Sequence, residues 1–173
     1  GVYKCGYYGM KVLAIDPGYA RVGVAVLERV DGHEILLYSS CLTTDKTLPH
    51  AERLALIGTE VRQLMSLYQP ETLALERLFF NTNQRTALAV AEARGVIIFA
   101  TQEAGLEVFE YTPLQVKIAI TGYGRATKRQ IAAMVKRLIA LPEHTRYDDE
   151  IDAIAIGLTH LATQHHDARA GRV

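Results

Sequence analysis

Cysteine is scarce in this chain, and neither sign of charge prevails. Two cysteines, Cys5 and Cys41, are too few for a disulfide framework or a four-ligand zinc site. Nothing at the N-terminus reads as basic region, apolar region and cleavage site, so the expected compartment is the cytoplasm. No apolar run approaches the roughly 18 residues of a membrane-spanning helix, because Asp16, Glu76 and Asp152 interrupt the most apolar stretches. Lys and Arg total 19 and Asp and Glu total 19, a net charge of zero that, taken alone, argues against a polyanionic partner. Linkers, repeats and low-complexity tracts are also missing. What is present, 49% hydrophobic and 22% charged residues over a length of 173, is the composition of one globular domain with a full core, large enough to bury roughly 70% of its unfolded surface.

Residues 1–9 show no period, and Met10 opens a strong strand pattern, so the domain is expected to begin there and the first nine residues are set aside as an upstream segment. Lys11–Asp16 is an apolar run closed by Asp-Pro-Gly, a buried strand followed by a turn. Val22–Leu27 continues the β pattern, and Asp31-Gly32 turns the chain into a third strand over 34–42, which predicts an antiparallel meander. Between 48 and 68 the apolar residues Leu54, Ile57, Val61, Leu64 and Leu67 recur at steps of three or four, a helix ended by Pro70. Strand is expected again at 72–76 and 106–111, and helix at 83–99, 113–120, 127–141 and from 148 to about 163. The helix at 83–99 is apolar on every side from Ala87 to Ala91, so more than one face needs a cover, and a partner subunit would supply one. The order of elements predicts an α/β domain around a mixed five-stranded sheet. The expected boundaries are 1–9 for the upstream segment, 10–163 for the domain and 164–173 for a basic C-terminal tail.

Four acids stand where acids are costly. Asp16 closes Val-Leu-Ala-Ile and Glu76 closes Leu-Ala-Leu, both at the C-terminal tips of predicted central strands, where α/β sheets place their ligand sites. Asp149 and Asp152 are three apart on the first turn of the last helix and share a face, bordered by Ile151, Ile154 and Leu158. Each acid has a plainer role when taken alone: Asp before Pro-Gly is most often a turn residue, and acids at a helix start cap it and face its dipole. Together, carboxylates against apolar surface must be paired, protonated or bound to cations. No nearby run of Lys or His offers an internal counterion, so each is expected to raise the others' pKa. A pair of hard divalent cations with oxygen ligands, Mg²⁺ or Mn²⁺, resolves the conflict, whereas zinc favours His or Cys. The chemistry such a site serves is two-metal phosphodiester hydrolysis.

The motifs Ile-Asp-Pro-Gly with Gly23 downstream (15–23), Leu-Glu-Arg-Leu-Phe-Phe-Asn (75–81), Ala-Arg-Gly (93–95), Gly-Tyr-Gly-Arg-Ala-Thr-Lys-Arg-Gln (122–130) and Asp-Glu-Ile-Asp-Ala-Ile-Ala-Ile (149–156) together resemble the RuvC family, the bacterial Holliday junction resolvases. The resemblance runs from Met10 to about Thr163. It implies a ribonuclease-H-like fold, with Asp16, Glu76, Asp149 and Asp152 as the catalytic, metal-binding tetrad. It further implies two Mg²⁺ per site with Mn²⁺ able to substitute, Phe79 stacking near the crossover, and Lys117 and Lys128 on phosphates near the scissile bond. A homodimer nicking strands of like polarity symmetrically is implied, with 5′-phosphate and 3′-hydroxyl ends, RuvA and RuvB as partner proteins, and a role in recombination and DNA repair. The two-fold symmetry of a four-way junction fits an isologous dimer, with residues 87–98 as its expected interface.

Local charge supports the DNA reading independently. From Tyr111 to Pro142 the chain holds Lys117, Arg125, Lys128, Arg129, Lys136 and Arg137 and no acid, a local charge of +6, so the remaining 141 residues sum to −6. Arg125 and Arg129 therefore join the candidate DNA contacts. Three other readings stay open on the sequence. One is a different ribonuclease-H-like nuclease, and another is a non-catalytic junction-binding protein. The third is an ATPase whose phosphate loop is Asp-Pro-Gly, which would need two such domains.

Overall fold

The computed structural model describes residues 10–77, 84–143 and 148–170. Three strands, β1 (Met10–Asp16), β2 (Arg21–Val30) and β3 (His33–Thr43), form the expected meander. Its second turn needs positive φ at two successive residues, and Asp31 and Gly32 supply 51° and 81°, the two-residue geometry that matches strand twist. Helix α1 (His50–Tyr68) returns the chain to β4 (Thr72–Glu76), and α2 (Gln84–Glu103) returns it to β5 (Glu107–Tyr111). The sheet order is β3-β2-β1-β4-β5. β4 lies parallel to β1, with Ile15 opposite Leu75, and β5 lies parallel to β4. The remaining helices are α3 (Pro113–Thr121), α4 (Lys128–Leu138) and α5 (Asp148–Ala170).

Side chains alternate across the sheet and divide the core in two. Leu13, Ile15, Leu73 and Leu75 face α1 and α2, where Ile57, Val61, Leu64, Ala93 and Ile97 complete one cluster. Val12, Ala14, Ala25, Leu27 and Ala74 face α3, α4 and α5, where Val116, Ile131, Val135, Ile154 and Leu161 complete the other. Small residues on this second face let α5 approach closely. A Cβ on Gly157 would meet the Leu27 side chain and lie 3.2 Å from Cβ of Ala14. Deep in the same cluster His160 is fully buried. Its Nε2 bonds the Thr72 hydroxyl at 2.9 Å and its Nδ1 the Tyr111 hydroxyl at 2.8 Å, which ties α5 to both parallel strands.

Capping boxes open two helices: Thr112 with Gln115 at α3, and Thr127 with Gln130 at α4. Three helix ends differ from the sequence expectation. α2 runs past 99 to Glu103. α4 stops at Leu138, where Ile139 turns extended, before Pro142 is reached. α5 does not stop near Thr163 but continues to Ala170, because the residues beyond Thr163, though polar, include no helix breaker before Gly171. Among the described residues, no helix is long and apolar enough to cross a membrane.

Candidate active site

The period-two alternation that divides the core also aims the acids. Asp16 follows Val12 and Ala14, and Glu76 follows Ala74, so both project from the face that α5 covers. Because β1 and β4 are parallel neighbours, the two carboxyls emerge side by side and share a hydrogen bond. The N-terminus of α5 is held directly over them. Gly23, paired with Asp16 in the β1–β2 ladder, lies so close to the Asp149 carbonyl that no Cβ would fit between them. Glu150, buried at the start of α5, accepts the Ser39 hydroxyl at 2.6 Å. That bond gives Glu150 the structural part that acids at helix starts commonly play.

The electrostatics follow from this convergence. Burial, followed by the charges of Glu76, Asp152 and Asp149, pushes the Asp16 carboxyl up to about 8. Burial also raises Glu76 and Asp152, and the Asp152 charge raises Glu76 further. A carboxyl with so high a pKa keeps its proton at neutral pH, and that proton bridges Asp16 and Glu76.

The other two acids are neutralised differently, which corrects the expectation that no internal counterion exists. Arg21 Nε lies 2.9 Å from Asp149 Oδ2, and Lys128 Nζ lies 3.2 Å from Asp152 Oδ2. The Asp152 charge raises the Lys128 pKa. Arg21 stands alone, whereas Lys128 belongs to the basic stretch from 111 to 142. Arg21 opens β2 just beyond the turn after Asp16, and Lys128 opens α4, so only the closed fold brings them to the acids. Arg21 is the residue beside the site that the sequence reading missed; the signal that could have found it is its place two residues before Gly23, which the β1–β2 register sets opposite Asp16.

The turn after Asp16 is pinned from behind. The Arg53 guanidinium stacks 3.7 Å from the Tyr19 ring centroid and donates to the Thr44 hydroxyl, which donates to the Tyr19 carbonyl at 2.8 Å. The Tyr19 hydroxyl bonds His50 Nδ1 at 2.6 Å, and His50 Nε2 bonds Glu92 of α2 at 2.6 Å. Arg94, from the Ala-Arg-Gly motif, pairs with Glu110 of β5, as does Arg77 at 3.4 Å.

The donor set is all carboxylate, with neither His nor a thiolate among the four, and it carries more negative charge than one proton and two cations offset comfortably. That chemistry fits hard divalent cations. As the side chains stand, no three described His, Cys, Asp or Glu groups form a ready cage for an ion. The shared proton and the two ion pairs draw the acids toward separate partners.

Of the expected DNA contacts, Lys128 alone is placed against an acid. Arg125 and Arg129 are exposed on either side of it in sequence, and Lys117 is half-buried on α3. Phe79 lies outside the described residues.

The model of the family described as crossover junction endodeoxyribonuclease RuvC matches residues 12–160. A crossover junction endodeoxyribonuclease RuvC from Moorella thermoacetica is 47% identical over 153 residues, 88% of this chain and 92% of that protein. Its counterpart from Pelotomaculum thermopropionicum is 43% identical over 157 residues, 91% of this chain and 94% of that protein. Among solved structures, Thermus thermophilus RuvC in complex with Holliday junction substrate superposes with a TM-score of 0.85 at 35% identity, covering 91% of this chain and 96% of that one. The yeast mitochondrial Holliday junction resolvase Ydc2, at 15% identity and a TM-score of 0.68, shares the fold.

Proposed function

The chain belongs to the RuvC family of crossover junction endodeoxyribonucleases, and from that premise we propose that Asp16, Glu76, Asp149 and Asp152 are the residues with which it resolves four-way DNA junctions. The observation that carries the assignment is the meeting of these carboxyls at one end of the sheet, close enough that Asp16 holds a proton to about 8. Like other metal-dependent nucleases, the protein uses divalent cations, here two Mg²⁺ per site with Mn²⁺ as a substitute. Bound there, the pair supplies an activated water and stabilises the oxygen that leaves the scissile phosphate.

The chain's own residues set up the reaction. Asp16 and Glu76 release the proton between them, which frees carboxylate oxygens from two adjacent strand ends. Asp149 and Asp152 offer theirs from one turn of α5, whose position is fixed by the contact with Gly23. Lys128, within reach of Asp152, turns its ammonium to pair with the phosphate flanking the cut. Lys117, Arg125 and Arg129 hold the strand on either side, and Phe79 stacks at the crossover. Two copies related by the junction's two-fold axis nick symmetrically and leave 5′-phosphate and 3′-hydroxyl ends. RuvA and RuvB deliver the junction in the cytoplasm, during recombination and repair. The nuclease domain that carries this activity spans residues 10–163, with α5 continuing into 164–170.

Nicking of a synthetic four-way junction, with duplex DNA and an RNA·DNA hybrid as alternative substrates, tests the reading. Junctions are expected to be cut and the hybrid left intact. Asp16→Asn and Asp152→Asn should each abolish cleavage while junction binding persists. Cleavage retained by Asp152→Asn overturns the assignment.

A further inference from the structure

Arg21 is fixed in place by backbone and free at its tip. Its backbone pairs with Thr43 in the β2–β3 ladder, and its carbonyl packs against Gly18, where no Cβ would fit. The guanidinium Nε reaches Asp149 Oδ2 at 2.9 Å, the same oxygen that Cys41 Sγ approaches at 3.9 Å. Yet the Arg21 side chain is 54% exposed against 25% for Asp149. One end of this group lies in the acid cluster, and the rest faces the solvent from which a polyanion would arrive. So open an ion pair is weak and exchangeable. A guanidinium matches phosphate oxygens in a planar fork that an ammonium cannot reproduce.

We propose that Arg21 is a substrate-contacting residue: it neutralises Asp149 before a cation is bound and passes to a DNA backbone phosphate beside the acids once Asp149 has taken its cation. The inference rests on the assignment of Asp149 as a cation ligand. Cation uptake would turn a positive group outward, so cation and DNA binding reinforce each other. By reciprocity DNA tightens cation binding through the same residue.

Two measurements on the full chain test this. Calorimetric titration with Mn²⁺ in the absence of DNA should show Arg21→Ala binding about two- to fivefold more tightly than the parent, the factor that an exposed ion pair is worth. The salt dependence of binding to a four-way junction with phosphorothioate linkages around the crossover supplies the second. In Mn²⁺ the slope of log K against log salt should be shallower by about 0.9 in Arg21→Ala, one phosphate contact. In EDTA the two slopes should coincide, and Arg21→Lys should restore the slope in Mn²⁺. Mn²⁺ bound no more tightly by Arg21→Ala, or a parental slope in Mn²⁺, overturns the inference. Asp149→Asn separates the two failures. Parental Mn²⁺ affinity in that variant removes Asp149 from the ligand set and brings down the site assignment itself. Weakened affinity there, with Arg21→Ala unchanged, defeats the role of Arg21 alone.

Discussion

Asp16 shows what a carboxyl buried at the proposed site costs the fold that carries it. Unfolded, its carboxyl loses its proton near 3.8; folded, it keeps it up to about 8. Between those values the folded chain binds more protons than the unfolded one, so this group lowers stability progressively as pH rises through the window. Without divalent cations, Asp16→Asn should therefore melt above the parent, by about 4 °C or more near pH 8 and by little near pH 4. Thermal denaturation in EDTA across that range measures the gap, and saturating Mg²⁺ should close or reverse it. A gap that does not change with pH would mean that the proton on Asp16 is not what strains the cluster. The need for relief was legible in the sequence, because an acid that closes Val-Leu-Ala-Ile or Leu-Ala-Leu borders apolar surface and must be paired, protonated or bound to a cation. The means of relief was not. Arg21 and Lys128 lie 128 and 24 residues from the acids they meet, and only tertiary closure makes the pairs with Asp149 and Asp152.

At the scale of elements, the site depends on how tightly α5 lies against the end of β2. A methyl group on Gly23 would collide with the Asp149 carbonyl, which is backbone and cannot swing aside. Gly23→Ala should lose about 1–3 kcal/mol of stability by overpacking. It should also lose cleavage by about 100-fold, because the displaced turn of α5 carries two of the four acids. Gly157→Ala, whose nearest obstacles are the side chains of Leu27 and Ala14, should cost stability with a smaller effect on cleavage. Melting temperatures and nicking rates of the two variants, measured together, separate the effects; equal loss of cleavage in both would deny Gly23 its special place. The elements themselves were readable from local chemistry: Asp31-Gly32 fixed the hairpin, and apolar runs against three- or four-residue steps separated strand from helix. The errors fell at helix ends. Pro142 is a strong stop signal, but α4 had already turned extended at Ile139. There Ile139 is drawn into the core, and packing overrode helical propensity.

For the whole molecule, zero net charge conceals a division of labour. The stretch from 111 to 142 carries +6 and the remaining 141 residues −6, and the two meet where Lys128 pairs with Asp152. A second feature at this scale is the solvent-facing side of α2, where Leu88 and Phe99 are 65% and 59% exposed. Leu88 lies within the interface expected at 87–98 and Phe99 just beyond it, and the proposed homodimer would cover both. Leu88→Glu with Phe99→Glu should shift sedimentation toward a monomer and convert paired nicks into single ones, while the melting temperature changes little. Paired nicking by a monomeric variant would place the interface elsewhere. The four acids are also spread widely along the chain, two on early strands and two on the last helix, and that order bears on synthesis. A chain still emerging from the ribosome carries Asp16 and Glu76 long before Asp149 and Asp152 exist, and α5 can dock only when its buried run from Ala153 to Leu161 is complete. On the proposed assignment the site is complete only once α5 has closed the domain, so a chain still lacking α5 carries just half of its acids.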